Sequence, residues 1–205
     1  MGQAVRCCQV RAGLAAPYVP SPQDSYAFAR LLDGVPLDQD TGTFVATMAE
    51  VYQRFGFAPQ RVAYSDSPDA WSAKPTADYE RDAFDQANRT ETSIHQIVGT
   101  DDERWLAVQR AIAASSPVVW AGDVSLAFAQ GAFDPTVPLD PPMPDQIDGG
   151  HCMMIGAYDA GSASILNSWG VGWGDAGWFR ASKAFVLSAS ELFVVEHVFV
   201  EGQVA

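Results

Sequence analysis

With 205 residues, 48% of them apolar and 18% charged, the chain is long enough to bury a core and too apolar to stay disordered. A formal net charge of −13 argues against nucleic acid or an anionic membrane surface as a partner, because both are polyanions. No apolar run approaches the ~20 residues of a membrane span. The start, MGQAVRCCQVRAG, has no apolar stretch of the kind a signal peptide carries.

The predicted elements run from helices to strands. CCQVRAGLAA predicts a short first helix that starts at the cysteines and stops before Pro17, Pro20 and Pro22. SPQDSYAFARLLDG has a Ser cap, Pro at the first helical position and Gly34 as its stop. Tyr26, Ala29 and Leu32, with Phe28 and Leu31, stand at helical spacing. DTGTFVATMAEVYQRFG predicts another helix, with Phe44, Met48, Val51 and Phe55 as its core stripe and Gly56 as its stop. From Arg61 to Thr100 the sequence is polar and rich in Ser, Asp and Pro. It predicts surface loop, one short helix around YERDAFDQA, and a strand at ETSIHQIVG. DDERWLAVQRAIAASS predicts a helix whose acidic first turn suits the positive end of the helix dipole.

PVVWAGDV is strand-like, and GAFDPTVPLDPPMPDQIDGG predicts a long loop. HCMMIGAYDA, ASILNSWG, GWFRASKAF and ELFVVEHVFVEG predict strands between Gly-rich turns. Helices followed by strands predict an α+β fold within one domain, 1–205, of two unlike lobes. Residues 1–100 would be mainly helical and 101–205 β-rich, with a functional cleft between them.

Chemistry concentrates in Gly149-Gly150-His151, Asn167-Ser168-Trp169-Gly170 and the GWGDAGWF run at 172–179. A His opens one strand-like run and an Asn closes the next, with Gly161 marking a hairpin between them. Pairing those strands would let the Asn oxygen accept a hydrogen bond from one imidazole nitrogen, which leaves the other to act on a nucleophile. Trp169 could cover that bond, since low local polarity strengthens it. A nucleophile must come from elsewhere, and the amino terminus offers Cys7 or Cys8. A thiol beside an imidazolium, or at a helix N-terminus, is acidified. Gln3 could donate its amide to a developing oxyanion.

This pattern resembles the papain-like cysteine peptidases. A Cys near the start, then His in GGH, then Asn in NSWG–WG–G is that family's order, and residues 149 to 182 resemble its carboxy-terminal segment nearly position by position. The first half is similar, more loosely, to a short divergent branch found in bacteria and phages. The resemblance implies a papain-like two-lobed α+β fold and a cysteine peptidase acting on protein or peptide substrates, with no metal or organic cofactor. It implies Cys7 as nucleophile with Cys8 as the alternative, His151 as general base and acid, Asn167 as its orienter, and Trp169 as the shield. Gln3 would be the oxyanion donor, although it lies closer to either cysteine than the family's glutamine does. The family's amino-terminal strand has no counterpart ahead of Gln3. A missing oxyanion donor lowers rates on the order of 10²–10³, so reduced activity is the expectation.

Other readings stay open. The same domain could be a catalytically weak or inactive binding module, or could turn its triad to peptidoglycan cross-links or acyl transfer. Cys7, Cys8, His151 and Cys152 lack the C-x₂-C spacing usual at zinc sites, and Cys152 reads as a core residue on the strand face opposite His151. His95 and His197 read as structural. Trp71, Trp105 and Trp120 read as core or lobe-interface residues. Asn88 opens a glycosylation sequon that nothing secretory supports.

Overall fold

A computed structural model describes residues 1–13, 17–59, 72–87 and 90–200. It divides into two compact units, residues 1–94 with 196–205 and residues 95–195.

Among the described residues the first unit holds four helices: α1 (Gly2–Arg11), α2 (Pro22–Leu32), α3 (Val45–Arg54) and α4 (Ala77–Ala87). α2 starts as its sequence predicts. Ser21 caps it by accepting from the Asp24 N–H, and Pro22 takes the first turn, where its missing N–H costs nothing. α1 does not follow the cysteines but contains them. Ala4, Val5, Cys8 and Gln9 form its buried face, and Gln3, Arg6, Cys7 and Val10 lie outward. The stripe predicted for α3 is rotated. Phe44 is the N-cap and is exposed, while Val45, Ala49, Val51 and Tyr52 turn inward. In α2 likewise Leu31 and Leu32 are exposed, and Ser25, Ala27, Ala29 and Arg30 are buried.

Polar side chains therefore stitch the interior of this unit. The fully buried Arg30 donates to the carbonyl oxygens of Gln39 (2.7 Å) and Leu37 (3.2 Å), and its guanidinium lies 4.6 Å from the Tyr26 ring centroid. Ser25 and Tyr79 share a hydrogen bond of 3.0 Å, and Gln9 accepts from the Tyr18 N–H at 2.9 Å. Gly56 closes α3 at φ +77°. A Cβ there would stand 2.2 Å from the Ala83 carbonyl oxygen, so only glycine fits.

The second unit is a sheet backed by helices. Its elements are the end of β1 (Thr90–Gln96), α5 (Asp101–Ala113), β2 (Val118–Ser125), α6 (Leu126–Ala129), β3 (Ile147–Tyr158), β4 (Ser162–Leu166), β5 (Trp178–Ser182), α7 (Lys183–Leu187) and the first half of β6 (Glu191–Val200). The strand order is β1-β6-β2-β3-β4-β5, and the pairings of β2 with β3 and β6, β3 with β4, and β4 with β5 are all antiparallel. α5 begins in a reciprocal capping box between Thr100 and Glu103.

Two boundaries differ from expectation. β3 starts at Ile147, inside the predicted loop, because Ser125 and Val124 pair with Ile147 and Gly149. The run GWFRASKAF splits, since Ser182 caps a new helix by accepting from the Phe185 N–H. One core cluster lies on a face of the sheet, where Val118, Trp120, Ile155, Ile165 and Phe179 pack with Trp105 and Val108 of α5, and Val119, Met154 and Val195 are buried on the other face. Trp120 is fully buried, stacks on Phe185 at 4.8 Å, and donates its indole N–H to the carbonyls of Phe185 and Val186. No helix among the described residues is long and apolar enough to cross a membrane.

Candidate active site

His151 and Asn167 meet in the second unit. The β3–β4 hairpin pairs Met154 with Leu166, which brings the residue after β4 toward the His151 end of β3. The Asn167 N–H donates to the Gly177 carbonyl (2.9 Å), so the chain from 168 to 177 returns on itself. That return needs glycine at 174, where φ is +58° and a Cβ would lie 2.5 Å from the Trp178 carbonyl oxygen. Asn167 is 4% exposed. Its Oδ1 accepts from the Ser168 N–H at 2.7 Å and lies 2.8 Å from His151 Nε2.

These two bonds decide the ring's tautomer. A main-chain N–H can only donate, so the amide atom facing Ser168 is the oxygen. The same oxygen faces the imidazole, so Nε2 carries the hydrogen and donates. Nδ1 is then the bare nitrogen of the neutral ring. Burial pushes the His151 pKa below its usual value, and the Asn167 bond offsets this only in part, so the neutral ring prevails at pH 7.

Rings enclose the imidazole. Trp169 stacks on it with centroids 4.5 Å apart and planes 28° from parallel, and is itself 42% exposed. Phe128 lies 6.3 Å from His151 and 5.7 Å from Trp169. The sequence did not single out Phe128. Its signal was Ser125, three residues earlier, which ends β2 and caps α6 by accepting from the Phe128 N–H. Beside His151 the sheet is open. A Cβ on Gly149 or Gly150 would meet no atom within 4 Å.

The thiols lie in the first unit. Neither Cys7 nor Cys8 stands at the start of α1, and the acidifying helix-end position expected for them is occupied by Gly2–Ala4, whose N–H groups precede the first intrahelical bond, from Val5 to Met1. Cys7 is exposed, and its N–H belongs to the helix ladder. Loss of water around its thiol raises the pKa, while Arg6 lowers it by less. Cys8 is buried, and burial, with some repulsion from Cys7, pushes its thiol up to about 11. Gln3 is exposed one turn before Cys7 on the same side of α1. Cys152, expected in the core, is half-buried opposite Ala121. The three cysteines form no disulfide, and no three His, Cys, Asp or Glu side chains among the described residues gather as a metal-holding group. His95 is exposed on β1, and Trp105 and Trp120 are core residues. Trp71, Asn88 and the His197 side chain lie outside the described residues.

Known structures share this architecture. The chain superposes on xylellain, a cysteine protease from Xylella fastidiosa, with a TM-score of 0.79 and 21% identity, over 96% of this chain and 76% of that one. The fold is papain-like. A Carica candamarcensis cysteine protease, CMS1MS2, solved in complex with E-64, matches with TM-score 0.56 and 17% identity over 96% of this chain and 89% of that one. Digestive procathepsin L 3 from the larval midgut of Tenebrio molitor matches with TM-score 0.61 and 16% identity, over 93% of this chain and 60% of that one. No protein-family model matches the papain-like chain, and no curated protein matches it in sequence.

Proposed function

We propose that the chain is a cysteine hydrolase of peptide or amide bonds, of the shorter branch of papain-like enzymes. The shape likeness to xylellain, greater than to the other two proteases, supports the branch. The observation that carries the chemistry is the 2.8 Å bond between His151 Nε2 and Asn167 Oδ1, with the Trp169 ring stacked on the imidazole. Cys7 serves as the nucleophile because it is the exposed thiol of the amino-terminal pair, with Cys8 as the alternative. Nδ1 takes the thiol proton, and sulfur attacks the carbonyl carbon. The imidazolium returns the proton to the leaving amine. Water then cleaves the thioester, giving its proton to Nδ1, which reprotonates the sulfur. Gln3 donates its amide to the oxyanion. Asn167 holds the tautomer, and Trp169 shields the Asn–His bond. Protein or peptide chains, rather than nucleic acid or membrane, suit a net charge of −13.

Alkylation by iodoacetamide across pH tests the assignment. Cys7 should react well below the ~8.5 of an ordinary thiol, and His151→Ala should abolish that behaviour. Hydrolysis of fluorogenic dipeptide amides, compared with muropeptides, separates peptidase from peptidoglycan action. A second reading, a binding module with little or no catalysis, is favoured by the place of both thiols within α1 and by their raised pKa values. An alkylation profile unchanged by His151→Ala would establish that reading instead.

A further inference from the structure

A hollow of about 300 Å³ lies in the second unit beside Phe128, and neither His151, Asn167 nor Trp169 lines it. Phe128, Phe133 and Phe185 line it, with Leu139 and Pro141. Phe128 and Phe133 stack at 5.7 Å with planes 6° apart, so part of its lining is already in place. The loop forming one wall is tied to β5: the Leu139 N–H donates to the Arg180 carbonyl, and the Ser182 N–H donates to the Leu139 carbonyl, each at 2.9 Å. An apolar cavity of about 150 Å³ already holds a benzene ring, so this one has room for an aromatic side chain with its stem.

The surroundings specify more than greasiness. Leu126, Met143 and Ile147, each next in sequence to a lining residue, are exposed at 52, 62 and 43%. Asp140 and Gln146 belong to the lining, and Asp140, Asp145 and Asp148 are all exposed. From residue 111 to 179 there are seven aspartates and no lysine or arginine. Arg180, the next cation along the chain, pairs with Asp159, so a ligand here loses water from apolar surface and meets the negative charge of Asp140 at the rim.

We propose that this hollow binds a polypeptide segment presenting an aromatic or branched apolar side chain immediately beside a lysine or arginine. The apolar group enters between Phe128, Phe133 and Leu139, and the cation stays at the Asp140 rim. Binding needs no thiol, so it stands or fails separately from the reaction proposed above.

The test is titration of the ¹⁵N-labelled full chain with acetyl-Phe-Lys-amide, acetyl-Phe-Glu-amide and acetyl-Ala-Lys-amide, followed by amide shifts. Saturable shifts at Ala127, Phe128, Ala132 and Leu139 are expected with the first peptide, and affinities at least about fivefold weaker with the other two. Ala132→Trp, which fills the hollow, should remove those shifts. Asp140→Asn, a milder change at an exposed position, should weaken the Lys peptide about threefold and strengthen the Glu peptide. Equal binding of the Lys and Glu peptides overturns the proposal. So do shifts confined to the His151 side, persistence of binding in a folded Ala132→Trp chain, or no binding at millimolar peptide.

Discussion

The α1 helix and the β3–β5 region each carry chemistry, but they hold it differently. Around His151 every contact has a defined geometry: two bonds to one amide oxygen, a stacked indole, and Phe128 packed among Phe133, Trp173, Phe179 and Phe185. In the first unit directional polar bonds, Arg30 on main-chain carbonyls and Ser25 on Tyr79, run through an apolar interior that holds Val5, Val51, Tyr52 and Phe57. Cys7 is exposed on the outer side of α1. An aromatic interior orients a neighbouring side chain by steric contact, whereas at Cys7 the helix backbone sets the direction in which the thiol leaves the chain.

Four changes would sharpen or break this contrast. Phe128→Ala should have the largest effect, a loss of about 3–5 kcal/mol in urea unfolding, because a ring shared by several aromatic neighbours leaves a cavity. It should also raise the His151 pKa, read by NMR titration, as water reaches the imidazole. An unchanged pKa would mean the enclosure does not act on the ring. Gly56→Ala should cost about 2–4 kcal/mol, since its Cβ collides with the Ala83 carbonyl at positive φ. A near-neutral result would show the polar-stitched unit to be more yielding than the aromatic one.

The third change is in pH. A histidine with a lowered folded pKa binds protons more readily when unfolded. Its contribution to stability is complete above about pH 6.5, the unfolded pKa, and is lost as pH falls through the folded pKa. His151→Gln should flatten that part of the acid-side decline in urea stability. Smallest of all, Cys7→Ser should shift stability by no more than about 0.5 kcal/mol, as expected of an exposed site. Mass spectrometry after alkylation at pH 9 should show Cys8 protected, because burial keeps its thiol protonated up to about 11.

Legibility followed the same divide. The turns after Asn167 were legible in NSWG and its glycines because tight turns and positive φ leave direct marks in sequence. Ser21, Pro22 and Thr100 marked helix starts equally well. The position of α1 was misread because a helix containing Cys-Cys looks, residue by residue, like one that follows it. Rotation of the α3 stripe escaped because Phe44 and Val45 are both apolar, and only tertiary packing chooses between them. The start of β3 was hidden since Ile147-Asp148-Gly149-Gly150 has little strand propensity of its own and is drawn into the sheet by β2.

Gly149 and Gly150 carry one more consequence. Neither has a positive φ, and neither is crowded. Nothing in folding therefore requires glycine there, and Gly150→Ala could even gain about 0.4–1 kcal/mol by restricting the unfolded chain. These positions are a natural place for a mutational library: variants should survive as folded protein while the contour beside the imidazole is sculpted at will.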